Sequence, residues 1–198
     1  MKRSVLLPIL VIFLSAALLL GLSFGLKGVA EAKAQEEHLR LLRTVLPGSE
    51  NFTVEPYSGD DANIRSVHKG ENGFVIETAT YGYSGEITML IGVSKEGKVT
   101  GLVVMEMSET FGLGRNALND HEFLAQFLNT DGGIAIGTAG ETDAFSGATG
   151  SSDVETDTYV DGISGATVTS KAIARSVNSS VAYVTGADVS SAATSWGG

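Results

Sequence analysis

A pattern of small and hydroxyl-bearing residues occurs twice in the second half of the chain. Asp-x-x-Ser-Gly-Ala-Thr covers residues 143–149 and again residues 161–167. After the second copy, Ile173, Val177 and Val181 recur at the spacing of one helix face, so this copy is predicted to open a helix. A helix start carries unpaired N–H groups and the positive end of the helix dipole, and both favour a phosphate.

Two interpretations of the second copy follow from its residues. Gly165 permits backbone conformations closed to other residues, and Ala166 adds little bulk, so the backbone can come close to a ligand. The hydroxyls of Ser164 and Thr167 then suit a phosphate. Alternatively, Thr167 or Thr169 simply caps the helix, which is a common use of such a residue.

Composition excludes several kinds of site. The net charge is −10 and the chain has no basic cluster, so nucleic acid is not an expected partner. Without cysteine there is no disulfide or thiolate-ligated metal centre, and the scattered His38, His68 and His121 predict no metal site. A hydrolase using Ser146 or Ser164 is disfavoured because neither has a histidine or lysine at a recognisable spacing to activate it. We therefore expect that the chain has no catalytic residue.

The first part of the chain predicts a membrane anchor. Residues 5–26 form a run of 22 residues without a charge, which reaches about 33 Å as a helix. A cleaved signal peptide is the alternative, but such segments are usually shorter. Because Lys2 and Arg3 precede the run, we expect a single-pass protein with a cytoplasmic N-terminus and an extracytoplasmic domain.

The remaining elements predict one α+β domain after that span. Helices are expected over residues 31–46, 120–128 and 170–184, and strands over 74–80, 87–93 and 99–107, with Gly97 in a tight hairpin turn. Residues 51–73 are expected to be rich in turns. The predicted organisation is a cytoplasmic N-terminus (1–4), a transmembrane helix (5–26), a linker helix (27–48), the domain (49–186) and a C-terminal tail (187–198).

The second copy resembles the flavinylation motif of FMN-binding domains in two membrane complexes. One is the G subunit of the Rnf electron-transport complex, and the other is the C subunit of the sodium-pumping NADH:quinone reductase. The segment YGYSGEITMLIGVSKEGKVTGLVVMEMSET also resembles the Rnf protein. The resemblance implies an FMN joined covalently through its phosphate to Thr167 by a separate flavin transferase. It also implies that Asp161, Ser164, Gly165 and Ala166 surround the attachment point.

A second segment is similar to the Glu-Thr-Pro-Gly-Leu-Gly sequence that lies beside the flavin in this family, with Phe111 in place of the proline. The resemblance implies that this segment contacts the flavin through Glu109, Thr110, Gly112, Leu113 and Gly114.

The first copy matches the motif equally well but has a different context. Thr149 is followed by Gly150 and a polar stretch with no apolar helix face. We therefore interpret it as a duplicated loop and expect the flavin on Thr167, with Thr149 as an alternative second flavin site.

The resemblance implies an electron-relay subunit of an Rnf-type ferredoxin:NAD oxidoreductase that couples electron transfer to movement of Na⁺ or H⁺. Other membrane and soluble subunits are implied, since the chain has no G-x-G-x-x-G nucleotide fingerprint. Three alternatives remain: a C subunit of the quinone reductase, a lone electron-transfer flavoprotein, and a membrane-anchored surface or binding protein without redox function.

Overall fold

The computed structural model of the chain describes residues 3–107, 118–137 and 158–186. The chain divides into two compact units, residues 1–40 and residues 41–198. Helix α1 runs from Arg3 to Val45 and makes up the described part of the first unit. Within the described residues, none of the helices combines the length and apolarity that a membrane crossing requires, so the span predicted over residues 5–26 is unconfirmed.

The second unit mixes strands and helices. Strands β1–β5 form an antiparallel sheet in the order of the chain, and β6 and β7 form a separate parallel pair. The elements are β1 (Thr53–Glu55), β2 (Ile64–Lys69), β3 (Gly73–Tyr81), β4 (Glu86–Ser94), β5 (Val99–Met107), α2 (His121–Ala125), β6 (Ile134–Ile136), β7 (Thr158–Val160) and α3 (Thr167–Thr185).

The two faces of the sheet bury different partners, because successive side chains of a strand point to opposite faces. Ile76, Met89 and Ile91 belong to a cluster with the apolar side of α3. Val75 and Leu90 belong to a second cluster with the last turn of α1. The sheet is therefore covered on both sides within the second unit.

The last turn of α1 approaches the sheet where two glycines face each other. Gly92 and Gly101 are paired across β4 and β5, and a Cβ on Gly101 would lie 2.8 Å from the Cα of Val45. Thr100 Oγ1 donates a hydrogen bond of 2.6 Å to the carbonyl oxygen of Val45. This bond satisfies a carbonyl at the helix end, which the helix itself leaves without a partner.

Helix α3 is fixed to the sheet by hydrogen bonds as well as by apolar contacts. Thr80 Oγ1, at the end of β3, lies 3.2 Å from the Ala172 carbonyl oxygen and 2.9 Å from Ser176 Oγ. The amide of Asn178 accepts from the N–H of Ile134 and donates to its carbonyl, both at 3.0 Å. These bonds tie α3 to β3 and β6.

The prediction of a mixed helix-and-sheet domain is confirmed, as are the hairpin at Gly97 (φ 82°) and the three predicted strands. Helix α3 starts at Thr167 rather than residue 170, and α2 is shorter than predicted. The turn-rich segment 51–73 contains strands β1 and β2, and β6 and β7 were not predicted.

Candidate functional site

The loop that carries the second motif copy is held at its start by β6, β7 and the turn after α2. β7 ends at Val160, and the N–H of Asp161 donates to Gln126 Oε1 at 3.0 Å. A Cβ on Gly162 would lie 2.6 Å from Ile136 Cγ2, so the loop packs closely on β6. The first residues of the motif are thus fixed by backbone contacts, and the Asp161 side chain stays exposed.

The middle of the motif is a tight turn. The N–H of Ala166 donates to the carbonyl oxygen of Ile163 at 2.9 Å, and Gly165 has φ 79°. A turn with a positive φ at its third residue favours glycine there. The N–H of Ile163 also donates to Ser170 Oγ, 3.4 Å away, which links the turn to the first turn of α3.

Helix α3 begins at the final residue of the motif without a side-chain cap. Its N-cap is Ala166, which forms no side-chain hydrogen bond to the helix start. The interpretation of Thr167 or Thr169 as the N-cap is therefore wrong, since both lie inside the helix. Thr167 is exposed, whereas Thr169 and Ser170 are buried. An exposed hydroxyl consequently lies at a helix start where the N-cap side chain accepts no hydrogen bond from the first N–H groups.

Two basic residues follow Thr167 on α3 at intervals of four residues. Burial lowers the pKa of Lys171, and the positive charge of Arg175 lowers it further. Burial also lowers the pKa of Arg175. Arg175 Nη2 donates to the Tyr81 carbonyl oxygen at 3.1 Å, whereas its Nε is buried and has no acceptor among the described residues. Two partly buried basic side chains therefore follow Thr167 on the same helix.

The structure describes one of the two segments predicted to bind the flavin. Asp161, Ser164, Gly165, Ala166 and Thr167 form the loop and helix start described above. The other predicted flavin contacts and Phe111 lie in residues 108–117, outside the described residues. So does the first motif copy with Thr149, in residues 138–157.

Sequence reasoning missed three side chains near this loop: Gln126, Lys171 and Arg175. The two basic residues had a detectable signal, because they are spaced four and eight residues after Thr167 in a chain with few basic residues. Gln126 had none, since its contact with Asp161 joins distant parts of the sequence.

A family model for the FMN-binding domain matches residues 82–157 and 151–182, which together are more than half of the chain. The second matched segment contains the loop at residues 161–167 and most of α3.

Curated relatives support the same assignment. The G subunit of the ion-translocating oxidoreductase complex of Methanosarcina acetivorans is 30% identical over 161 residues, which cover 75% of this chain and 76% of the relative. The G subunit of the Na⁺-translocating ferredoxin:NAD⁺ oxidoreductase complex of Acetobacterium woodii is 31% identical over 112 residues, 55% of this chain and 47% of the relative.

A third relative is the G subunit of the proton-translocating ferredoxin:NAD⁺ oxidoreductase complex of Clostridium ljungdahlii, 31% identical over 112 residues, which are 57% of this chain and 53% of the relative. The matches thus span about half the length of the Acetobacterium and Clostridium proteins. The chain belongs to the FMN-binding domain family, in the branch that includes the G subunits of ion-translocating oxidoreductase complexes.

Proposed function

We propose that the chain is an electron-relay subunit of an Rnf-type ion-translocating ferredoxin:NAD oxidoreductase and carries FMN joined through its phosphate to Thr167. The observation that carries this proposal is the exposed Thr167 at the uncapped start of α3, inside a segment that matches the FMN-binding domain.

The residues around Thr167 fit a phosphate group. The N–H groups at the start of α3 point out of the helix and favour a negative charge there. Lys171 is one helical turn further on, and the buried Nε of Arg175 has no acceptor in the described part of the chain. In a chain of net charge −10, these groups make the start of α3 a favourable position for an anion.

The attachment reaction needs FAD and a flavin transferase as separate partners. The hydroxyl oxygen of Thr167 forms a bond to the phosphorus of the FMN half, the pyrophosphate bond of FAD breaks, AMP leaves and the hydroxyl proton is released. Thr167 is therefore the attachment point and takes no further part in electron transfer. Asp161, Ser164, Gly165 and Ala166 present the hydroxyl by fixing the turn before it.

The bound flavin would supply the redox chemistry, and the chain's own residues bind and orient it. The relatives are named as subunits of complexes, which supports further subunits as partners of this chain. Because the names of the Acetobacterium and Clostridium proteins give different ions, Na⁺ and protons, the proposal extends to ion translocation without choosing the ion.

A lipid bilayer is part of the proposal. The uncharged run at residues 5–26 supports an anchor, and Ile12, Phe13, Leu14 and Leu18 of α1 are between 66% and 77% exposed. Exposed apolar side chains in a row are stable when lipid covers them. With Lys2 and Arg3 on the cytoplasmic side, the flavin domain faces away from the cytoplasm.

Two further groups of residues belong to the proposal on the strength of the sequence. Glu109, Thr110, Gly112, Leu113 and Gly114 are proposed to contact the flavin. Thr149 is proposed to remain unmodified, because Gly150 and the polar stretch after it do not continue into an apolar helix face.

In-gel fluorescence tests this function. The full chain is co-expressed with a flavin transferase, run on a denaturing gel and viewed under ultraviolet light, beside Thr167→Ala and Thr149→Ala. We expect fluorescence of the wild type and of Thr149→Ala, none from Thr167→Ala, and a mass increase of one FMN group. A non-fluorescent wild type would support a surface or binding protein without redox function. Two FMN groups would overturn the single attachment site.

A further inference from the structure

The loop that leads to Thr167 begins at a fixed point of the fold. β7 ends at Val160, whose side chain is fully buried and whose carbonyl oxygen accepts from the N–H of Gly137 at 3.0 Å. The next N–H along the chain, that of Asp161, donates to Gln126 Oε1 at 3.0 Å. A side chain at the end of α2 therefore restrains the loop at the residue where it leaves β7.

Gln126 is itself held in place by its neighbours in the sequence. Phe123 and Phe127 are 3% and 0% exposed, and their rings pack edge-on with centroids 5.3 Å apart. The N–H of Gln126 donates to the Phe123 carbonyl oxygen at 3.2 Å. The Gln126 side chain, in contrast, is exposed. Its backbone is thus anchored in the core while its amide oxygen is directed to the loop.

Two further hydrogen bonds connect this restrained start of the loop with Thr167. The N–H of Ile163 donates to Ser170 Oγ at 3.4 Å, and the Ile163 carbonyl oxygen accepts from the N–H of Ala166 at 2.9 Å. Thr167 follows that turn directly and is the first residue of α3. Because no N-cap side chain holds this helix start, the conformation of its first residue depends on the loop.

We propose that Gln126 is a positioning residue for flavin attachment. By accepting from the N–H of Asp161, it holds the motif loop in the conformation that presents the Thr167 hydroxyl to the flavin transferase. Gln126 acts through the backbone of Asp161 and takes no part in the bond changes at phosphorus. This inference rests on the proposed attachment of FMN to Thr167. One neutral hydrogen bond changes the population of the held conformation by a factor of about two to ten.

The first arm of the test measures hydrogen exchange of the Asp161 amide in the full chain before any flavin is attached. Gln126→Leu keeps a side chain of similar size and removes the acceptor, so this amide should exchange about fivefold faster than in the wild type. Gln126→Glu keeps an oxygen acceptor and should exchange no faster than the wild type. Equal exchange in the wild type and Gln126→Leu would overturn the contact between Gln126 and the loop.

The second arm measures the rate of flavin attachment by in-gel fluorescence, with transferase, FAD and increasing concentrations of the chain. Gln126→Leu should lower the kcat/KM of the transferase for the chain about fivefold, because a smaller fraction of the molecules holds the loop in place. Gln126→Glu should restore attachment to near the wild-type rate. If Gln126→Glu is as slow as Gln126→Leu, the acceptor oxygen does not govern attachment and the proposal is overturned.

Asp120→Ala is the matched control at the other end of the same short helix. The Asp120 carboxylate accepts from the N–H groups of Glu122 and Phe123, so this variant loses hydrogen bonds of α2 and leaves the contact with the loop in place. It should be labelled at the wild-type rate. If Asp120→Ala slows attachment as much as Gln126→Leu, the effect comes from the stability of α2 and Gln126 has no positioning role.

The remaining outcomes separate this inference from the proposed function. A wild type that takes no label rejects the attachment to Thr167, and this inference with it. A labelled wild type with equal attachment rates in Gln126→Leu rejects only the role of Gln126. Faster attachment in Gln126→Leu would mean that the transferase takes the loop in a released conformation, which also overturns the proposal.

Discussion

The two ends of helix α3 are completed in different ways. At the C-terminal end, Gly186 has φ 73° and its N–H donates to the Ala182 carbonyl oxygen at 2.8 Å. Thr185 Oγ1 donates to the Val181 carbonyl oxygen at 3.0 Å. At the N-terminal end, Ala166 offers no side-chain acceptor and Thr167 is exposed. A left-handed glycine thus closes one end of α3, and no N-cap side chain closes the other.

The two ends of α3 also differ in the side chains around them. Near the C-terminal end, the ring of Tyr183 packs edge-on against Tyr57 and Phe74, with centroids 5.9 Å apart in each pair. Near the N-terminal end, Lys171 and Arg175 bring two positive charges together. The aromatic contacts of α3 therefore lie toward its C-terminal end, and its two basic side chains lie toward its N-terminal half.

The largest expected difference between the two ends of α3 is in flavin labelling after substitution of the two glycines that flank the helix. Gly165 and Gly186 both have positive φ, so alanine at either position costs about 1–2 kcal/mol of unfolding free energy. Only Gly165→Ala displaces the turn that presents Thr167, and a displacement of about 1 Å can slow a reaction about a hundredfold. We expect Gly165→Ala to lose nearly all in-gel flavin fluorescence in the transferase reaction.

Gly186→Ala is the matched control, because a Cβ there meets no atom within 4 Å and adds only backbone strain. It should lose similar stability in urea unfolding while keeping wild-type labelling. If both variants label equally well, the turn geometry at Gly165 does not govern attachment and the contrast between the two ends fails.

Much of this fold could be predicted where local patterns and tertiary packing agree. The continuous apolar, β-branched runs form β4 and β5, and the apolar face of α3 has the same periodicity in the sequence as in the structure. The short strands were different. β6 and β7 have three residues each, and residues 134–136 pair with residues 158–160. β6 is also held to α3 by the bonds between Ile134 and Asn178, and no local window contains either contact.

The candidate site could likewise be predicted only where local sequence patterns determine the structure. The loop before α3 could be recognised because its glycines permit backbone conformations closed to other residues and its other residues are small or carry a hydroxyl. The cap could not be assigned, since threonine is a good N-cap and only the position of the first helical residue excludes Thr167. The position of the Arg175 guanidinium depends on the Tyr81 carbonyl, which is 94 residues away in the chain, so no local pattern could indicate it.

Helix α2 provides a closed helix start to compare with that of α3. The carboxylate of Asp120 accepts from the N–H groups of Glu122 and Phe123 at 3.0 and 3.1 Å. Asp120→Ala should therefore lower the unfolding free energy by about 1 kcal/mol and leave flavin labelling unchanged. Thr167→Ala should do the reverse, abolishing the label with little loss of stability. A large loss of stability in Thr167→Ala would mean that Thr167 serves the fold after all.

The smallest expected effect is on stability at alkaline pH and concerns the C-terminal end of α3. Burial raises the pKa of Tyr183, and the negative charge of Glu55 raises it further. An unfolded tyrosine ionises near pH 10, so above that pH the unfolded state holds fewer protons than the folded state and stability falls as pH rises. Tyr183→Phe should therefore reduce the fall of the unfolding free energy with pH, measured by urea unfolding between about pH 9 and 11.

Tyr83→Phe is the control, since that ring is 79% exposed on the β3–β4 hairpin. If both variants reduce the pH dependence of the unfolding free energy equally, the packing at the C-terminal end of α3 does not cause the raised pKa of Tyr183. Because flavin attachment is proposed at the other end of the helix, neither variant should change labelling at neutral pH. A loss of label in Tyr183→Phe would show that the two ends of α3 are coupled and that stability and attachment are not separate properties of this helix.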